Sequence, residues 1–328
     1  MLKKKRVRTF RRYRAQFLSM IIMISLGIGV FVGFNMEWYS LLKNTGYILE
    51  KTGYADYRIY SEEGFSEEDL NKIKALAGVS DATRFLTVNA SVKDDTDVVA
   101  IAVTENSKVS GVYSVSGEPY DETSPDGLWL SDQYAEKNGI SIGDKLTFTY
   151  KTLTMTGTVR GLVKAGEFMI CVPDKTQLMP DYHSYGFAYM SPVMLREIIP
   201  VIFRNLIGDN LYYQINVLSD LTKEEFVKAA DAALGKTMLV LSKNETISWS
   251  EAMGEVNEGK TMGAILPAMF LLIAMLTMVT TMHRITASEK TQIGTLKALG
   301  FKDRQILRHY TSYAFFIALA GTVPGIVI

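Results

Sequence analysis

Cysteine occurs once in the 328 residues, at Cys171, so no disulfide can close within the chain. With no partner at metal-ligand spacing, Cys171 reads as a small core residue. Histidine is nearly as scarce, with only His183, His283 and His309. H-E-x-x-H does not occur, which removes the zinc-protease helix. His183 sits among Asp181, Tyr182 and Tyr185 and reads as a loop residue, and the acidic cluster from Asp94 to Asp97 as a solvated turn. Basic residues gather at the margins of apolar runs instead of alternating with aromatics, so nucleic acid is not an expected partner. No catalytic residue, metal site or cofactor is expected.

Charge is absent from three further stretches: Ala15 to Met36, Met262 to Met282, and Tyr310 to Ile328. Each approaches the roughly 20 residues with which a helix spans about 30 Å of hydrocarbon. Residues such as Ile265, Leu271 and Val279 each favour the membrane by about 0.3 to 0.6 kcal/mol. A buried core helix of a soluble protein is the alternative, strongest for the third run. That run is barely one span, contains Pro324 and has no polar anchor after Ile328. The sequence is therefore expected to be the N-terminal part of a longer protein, with three spans as a lower bound.

The formal net charge of zero hides a segregation. Residues 1–14 carry eight Lys or Arg and no acid, residues 15–261 carry 21 basic against 33 acidic, and residues 283–309 six against two. Short basic flanks remain cytoplasmic, so a multi-pass plasma-membrane protein is expected with its N-terminus inside and its acidic middle outside. A signal peptide would need a small-x-small cleavage site, which Gly33-Phe-Asn-Met-Glu-Trp-Tyr39 lacks. The expected divisions are a basic segment 1–14, a first span 15–39, an ectodomain 40–261, a second span 262–282, a cytoplasmic loop 283–309 and a third span 310–328. Within the first span, Ser25, Gly29 and Gly33 recur every four residues and form a smooth face for helix packing.

The ectodomain of about 220 residues is long enough for its own core. A local pattern recurs at its two ends. Tyr57-Arg-Ile-Tyr60 reads as a strand, Ser66-Glu-Glu-Asp69 as a capped helix start, Leu70 to Leu76 as its apolar face and Gly78 as its stop. Tyr213-Gln-Ile-Asn216, Thr222-Lys-Glu-Glu225, Phe226 to Leu234 and Gly235 follow the same order, before a strand at Met238-Leu-Val-Leu241. One α+β layer built from both ends is expected. Between them, Lys145 to Tyr150 and Leu153 to Val159 read as strands of a β-rich insert, about 110–205.

Gly254-Glu-Val-Asn-Glu-Gly-Lys-Thr261 matches the phosphate-binding pattern G-x-x-x-x-G-K-T. A working phosphate loop needs a strand before it and a helix N-terminus to receive the phosphates. Here Glu255 and Glu258 would stand beside them and the chain runs directly into an apolar run, so a helical stalk is expected instead.

Three landmarks resemble, in order, those of the FtsX-like, MacB-like permease family of ABC transporters. They are Arg11-Arg-Tyr-Arg-Ala-Gln-Phe-Leu, then Leu130 to Leu146 with Gly157-Thr-Val-Arg-Gly161, then Glu289 to Gly300, whose most specific part is Ile293-Gly-Thr-Leu-Lys-Ala-Leu-Gly300. Where many members have Glu before the Ile-Gly pair, this chain has Gln292. The resemblance implies a permease without its own ATPase activity, paired with a separate ABC ATP-binding subunit, working as a permease dimer among membrane lipids. It also implies that the loop at Glu289, Gln292, Ile293, Gly294, Leu296, Lys297, Leu299 and Gly300 couples ATP hydrolysis to ectodomain movement, for export or extraction of an amphiphile, peptide or antibiotic. The spacing of Ile293, Leu296 and Leu299 suits an apolar ridge for a partner's groove, and Gly300 suits a helix stop. Two alternatives stay open: a short helix lying on anionic lipid, and an ATP-driven scaffold or sensor controlling cell-wall hydrolases. The size of the ectodomain favours transport over the second.

Overall fold

In a computed structural model of the chain, which describes residues 8–92, 97–174, 176–177, 179–199 and 210–327, the first uncharged run lies inside a helix, Arg14–Lys51 (α1). There follow β1 Tyr57–Phe65, α2 Glu67–Lys74, β2 Val79–Val92, β3 Asp97–Thr104, β4 Val112–Gly117, β5 Gly127–Ser131, α3 Asp132–Asn138, β6 Lys145–Tyr150, β7 Leu153–Ala165, β8 Tyr185–Met190, α4 Pro192–Ile198, β9 Tyr212–Ser219, α5 Lys223–Leu234 and β10 Leu239–Ser242. Long helices return with α6 Ile247–Ser288, the short α7 Lys290–Ala298, and α8 Asp303–Val327. The protein is thus α+β, and α1, α6 and α8 are long and apolar enough to cross a membrane. Contacts divide the chain into a helical unit, Met1–Leu42 with Glu255–Ile328, and a mixed unit, Lys43–Gly254.

The mixed unit is built on one ten-stranded sheet in the order β10-β1-β9-β2-β3-β8-β5-β7-β4, with β6 pairing β7 and the end of β2. The two ends of the segment meet in it: Ile59 lies opposite Ile215 on β9 and Val240 on β10. The helices beside these strands start and stop as their sequences dictate. Ser66 with Asp69 and Thr222 with Glu225 form reciprocal capping boxes; Gly235 ends α5 at φ 71° as expected, whereas α2 already stops at an αR cap, Ala75, before Gly78 at φ 88°. Tyr57 stacks on Phe226 at 4.4 Å, and Ile59, Ile73, Ile215 and Phe226 are fully buried between sheet and helices.

The middle strands do not close into a sheet of their own. β2 pairs with β9 through its first half and with β3 through its second. The outer edge of β3 would present unpaired backbone groups, and β8 satisfies them in parallel register, Ala100 opposite Phe187. The expected β-rich insert is therefore continuous with the layer formed by the two ends; its residues 200–205, like Asp94 to Thr96 of the acidic cluster, lie outside the described residues. β5 is buried on both faces, and by strand alternation Leu128 and Leu130 enter one core while Trp129 enters the other. Cys171 lies in the second core beside Tyr185 and Phe187, where burial pushes its thiol up to about 12.

Candidate functional site

The segment between the second and third candidate spans is almost wholly helical. Glu289 alone separates α6 from α7, with φ −103° and ψ 14°. Its carboxylate is turned inward and 5% exposed. It accepts hydrogen bonds from the Tyr310 hydroxyl at 2.6 Å and the Thr9 hydroxyl at 3.3 Å. One residue earlier, the Ser288 and Tyr13 hydroxyls are hydrogen bonded at 2.9 Å. The break between α6 and α7 is thus fastened on one side to the chain before α1 and on the other to α8.

The faces of α7 divide sharply. Leu296 is buried with Phe17, Ile285, Ile306, Tyr310 and Tyr313, and Ile293 packs half-buried on the same cluster. Gln292, Gly294 and Lys297 are exposed, as is Leu299, at 61%. A spacing of three residues rotates about 60° backwards around a helix per step, so Leu299 lies about 120° from Ile293. The ridge expected from sequence is consequently split, with two members turned inward and one outward. The helix ends in a Schellman motif: Gly300 N–H donates to Lys297 C=O at 3.0 Å and Phe301 N–H to Leu296 C=O at 3.1 Å, with Gly300 at φ 86° and Phe301 packed on the Leu296 cluster. Lys297 then pairs with Asp303 at 2.7 Å, both of them exposed.

The small residues of α1 are distributed less evenly than their spacing implies. The Ser25 hydroxyl donates to Gly321 C=O at 2.9 Å, and a Cβ on Gly29 would meet Gly325 C=O at 3.4 Å, whereas one on Gly33 would meet nothing within 4 Å. Facing them, a Cβ on Gly321 would lie 2.7 Å from Ile24 Cβ, and one on Gly325 would lie 2.7 Å from Ser25 C=O. Gly321 and Gly325 escaped the sequence reading, although their four-residue spacing was the signal that could have found them.

The phosphate-loop look-alike lies in the interior of α6. Backbone N–H groups there serve the helix and are not free to cradle a phosphate. Lys260 places its ammonium 5.0 Å from the Trp38 ring centre, Gly259 lets Trp38 approach closely, and the Thr261 hydroxyl donates to Asn257 C=O at 2.8 Å. His183 is exposed, its backbone N–H donating to Asp181 at 3.1 Å.

Within the mixed unit, a buried charge cluster was not legible beforehand. Arg58 and Glu167, 3% and 10% exposed, face each other with Nε and Nη2 donating at 3.0 and 2.8 Å. The Ser110 hydroxyl donates to the same carboxylate at 2.7 Å and accepts from Asn216 at 2.6 Å. Arg58 lies over the Tyr54 ring at 4.4 Å. Tyr54, whose phenol burial pushes up to about 12, is hydrogen bonded to Thr246 at 2.5 Å, and Ser248 donates to Glu167 C=O at 3.0 Å. Each polar group is committed to a partner, the condition of a structural hub.

Three comparisons bear on these parts. Residues 264–328 match the family described as FtsX-like permease C-terminal. No curated protein matches the chain. Among solved structures, the extracellular domain of the noncanonic ABC-type transporter YknZ from Gram-positive bacteria is similar at 13% identity and a TM-score of 0.38, over 58% of this chain and 100% of that one. The periplasmic region of MacB from Actinobacillus actinomycetemcomitans is similar at 12% identity and a TM-score of 0.36, over 67% of this chain and 98% of that one.

Proposed function

We propose that the chain, whose residues 264–328 match the FtsX-like permease C-terminal family, is the membrane subunit of an ABC transporter whose ATP-binding subunit is a separate protein. The N-terminus and α7 lie in the cytoplasm and residues 43–254 outside, in keeping with the basic and acidic segregation of the sequence. The outer face of α7, with Gly294, Lys297 and Leu299, receives the ATP-binding subunit, and two permease copies face two such subunits. Movement at α7 drives the mixed unit to export or extract an amphiphile, peptide or antibiotic.

The observation that carries this reading is the division of α7. One face is fastened internally through Glu289 and Leu296, and the exposed remainder carries Leu299 on one flank and Gly294, whose Cβ position is open, about 140° away around the helix. A short helix held on one side and carrying an exposed leucine among polar residues elsewhere suits a lever gripped from outside.

Pull-down from its own cells, followed by mass spectrometry, tests it. Leu299→Asp should lower recovery of an ABC ATP-binding subunit about tenfold, the effect of losing a central contact, while leaving folding intact. Gly294→Ala should raise helix stability by about 1 kcal/mol and still weaken capture, because the added methyl group meets the partner and nothing in this chain. Undiminished recovery with both variants would sink the docking face.

A further inference from the structure

We infer that Arg14 and the helix face next to it form a binding site for one anionic phospholipid. Phe10, Arg14, Ala15, Leu18 and Ile21 line a groove of about 350 Å³. Phe10, Arg14 and Leu18 follow one another at four-residue steps, which stacks them on one side of the helix. Phe10 is 40% and Leu18 57% exposed, with Ile22 beyond them at 49%. Phe10 is held in place by stacking on Phe17 at 5.0 Å. Arg14, the cation among the lining residues, stands at the head of an apolar track.

Charge selects the occupant. Among the described residues no carboxylate pairs with Arg14, and the first acidic residue in the chain is Glu37. A zwitterionic headgroup would find no partner for its cation, whereas a headgroup of net negative charge needs only the guanidinium, which matches phosphate oxygens bidentately. The apolar track distinguishes a lipid from free phosphate, since it shields an acyl chain along Leu18 and Ile21 and offers nothing to an inorganic ion. The inference rests on the reading of α1 as a membrane span with its N-terminus in the cytoplasm, and it adds a lipid of defined charge at a defined residue.

The test uses the full chain in nanodiscs of phosphatidylcholine with or without phosphatidylglycerol, followed by gentle delipidation and native mass spectrometry. Wild type should retain phosphatidylglycerol over phosphatidylcholine. Arg14→Gln should reduce that preference roughly fivefold, the effect of about one interfacial cation, and Arg14→Lys should restore part of it. Arg12→Gln removes an exposed cation about 160° away around the helix and should change little. Equal losses for Arg12→Gln and Arg14→Gln would replace the site by a diffuse basic surface, and competition by inorganic phosphate would replace the lipid by a free ion. Failure to enter discs of either composition would overturn the span itself, whereas entry into both without selectivity would overturn the site alone.

Discussion

The two units are held together by opposite means. In the mixed unit the largest fully buried side chains include Trp129, Tyr134, Tyr189 and Phe226, and charge is buried in bidentate pairs, Arg58 with Glu167 and Arg84 with Glu105. In the helical unit, α1 and α8 meet through Ser25, Gly29, Gly321 and Gly325. Water rewards the removal of large apolar surfaces, so a soluble core grows bulky. Lipid offers no such gain, because its chains are as apolar as leucine, and helices then associate by close backbone approach and hydrogen bonds. Larger side chains reappear in the helical unit at the ends of the spans next to α7, where Phe17, Tyr310 and Tyr313 surround Leu296.

The sharpest way to break this comparison is to remove charge from the hub. Arg58→Ala leaves the Glu167 carboxylate buried without its cation, and such a loss costs about 3 to 5 kcal/mol. Replacing both residues, Arg58→Met with Glu167→Leu, removes the uncompensated charge and should recover part of that. Denaturant unfolding of the full chain in detergent measures both. A cost below about 1 kcal/mol for Arg58→Ala would place the pair with ordinary surface ion pairs and erase the contrast.

A smaller effect is expected at the glycine contact. Gly325→Leu must displace Ser25 C=O or Ile28, whose Cβ would stand 2.9 Å from the new Cβ, and overpacking of this kind costs about 1 to 3 kcal/mol. Gly33→Ala meets nothing and should stabilise the helix by up to about 1 kcal/mol. Melting of the two variants in the same detergent compares them directly. Equal behaviour would mean that the α1 and α8 contact tolerates bulk, as the core of the mixed unit does not.

What could be read from sequence was what is local. The capping boxes at Ser66 and Thr222 and the stops at Gly235 and Gly300 depend on neighbours a few residues away, and the three candidate spans depend on uninterrupted apolar runs. The α+β layer was legible because its two halves repeat one local pattern. The hub was not, since Arg58 and Glu167 are 109 residues apart. Strand alternation turns Arg58 to the face of β1 opposite Ile59, where Glu167 on the turn Gly166–Phe168 meets it. The facing of α7 was hidden for the same reason. Its helix and its glycine stop are local, but whether Leu296 points in or out is decided by Phe17 and Tyr313 on other helices. Glu289, which the resemblance places in the coupling loop, is buried and accepts from Thr9 and Tyr310, residues that sequence proximity does not connect to it.

The weakest expected effect tests whether the rule for buried pairs extends to the surface of the same unit. Glu245 accepts from Lys223 at 2.6 Å and from the Ser242 N–H and hydroxyl at 2.8 Å. Its bond with the Lys223 ammonium, followed by those from Ser242, holds its carboxyl down at about 2. A carboxyl depressed in the folded state stabilises the fold at pH above its ordinary value of roughly 4.3, and that contribution fades as pH falls towards about 2. The Lys223 and Glu245 side chains are 42% and 43% exposed, so solvent screening keeps the contribution below about 1 kcal/mol. Glu245→Gln should therefore lower the melting temperature slightly at neutral pH and flatten its decline between about pH 4.5 and 2. An unchanged decline in the variant would assign the acid sensitivity to other carboxylates, and a loss as large as that of Arg58→Ala would show that exposure does not separate the two pairs.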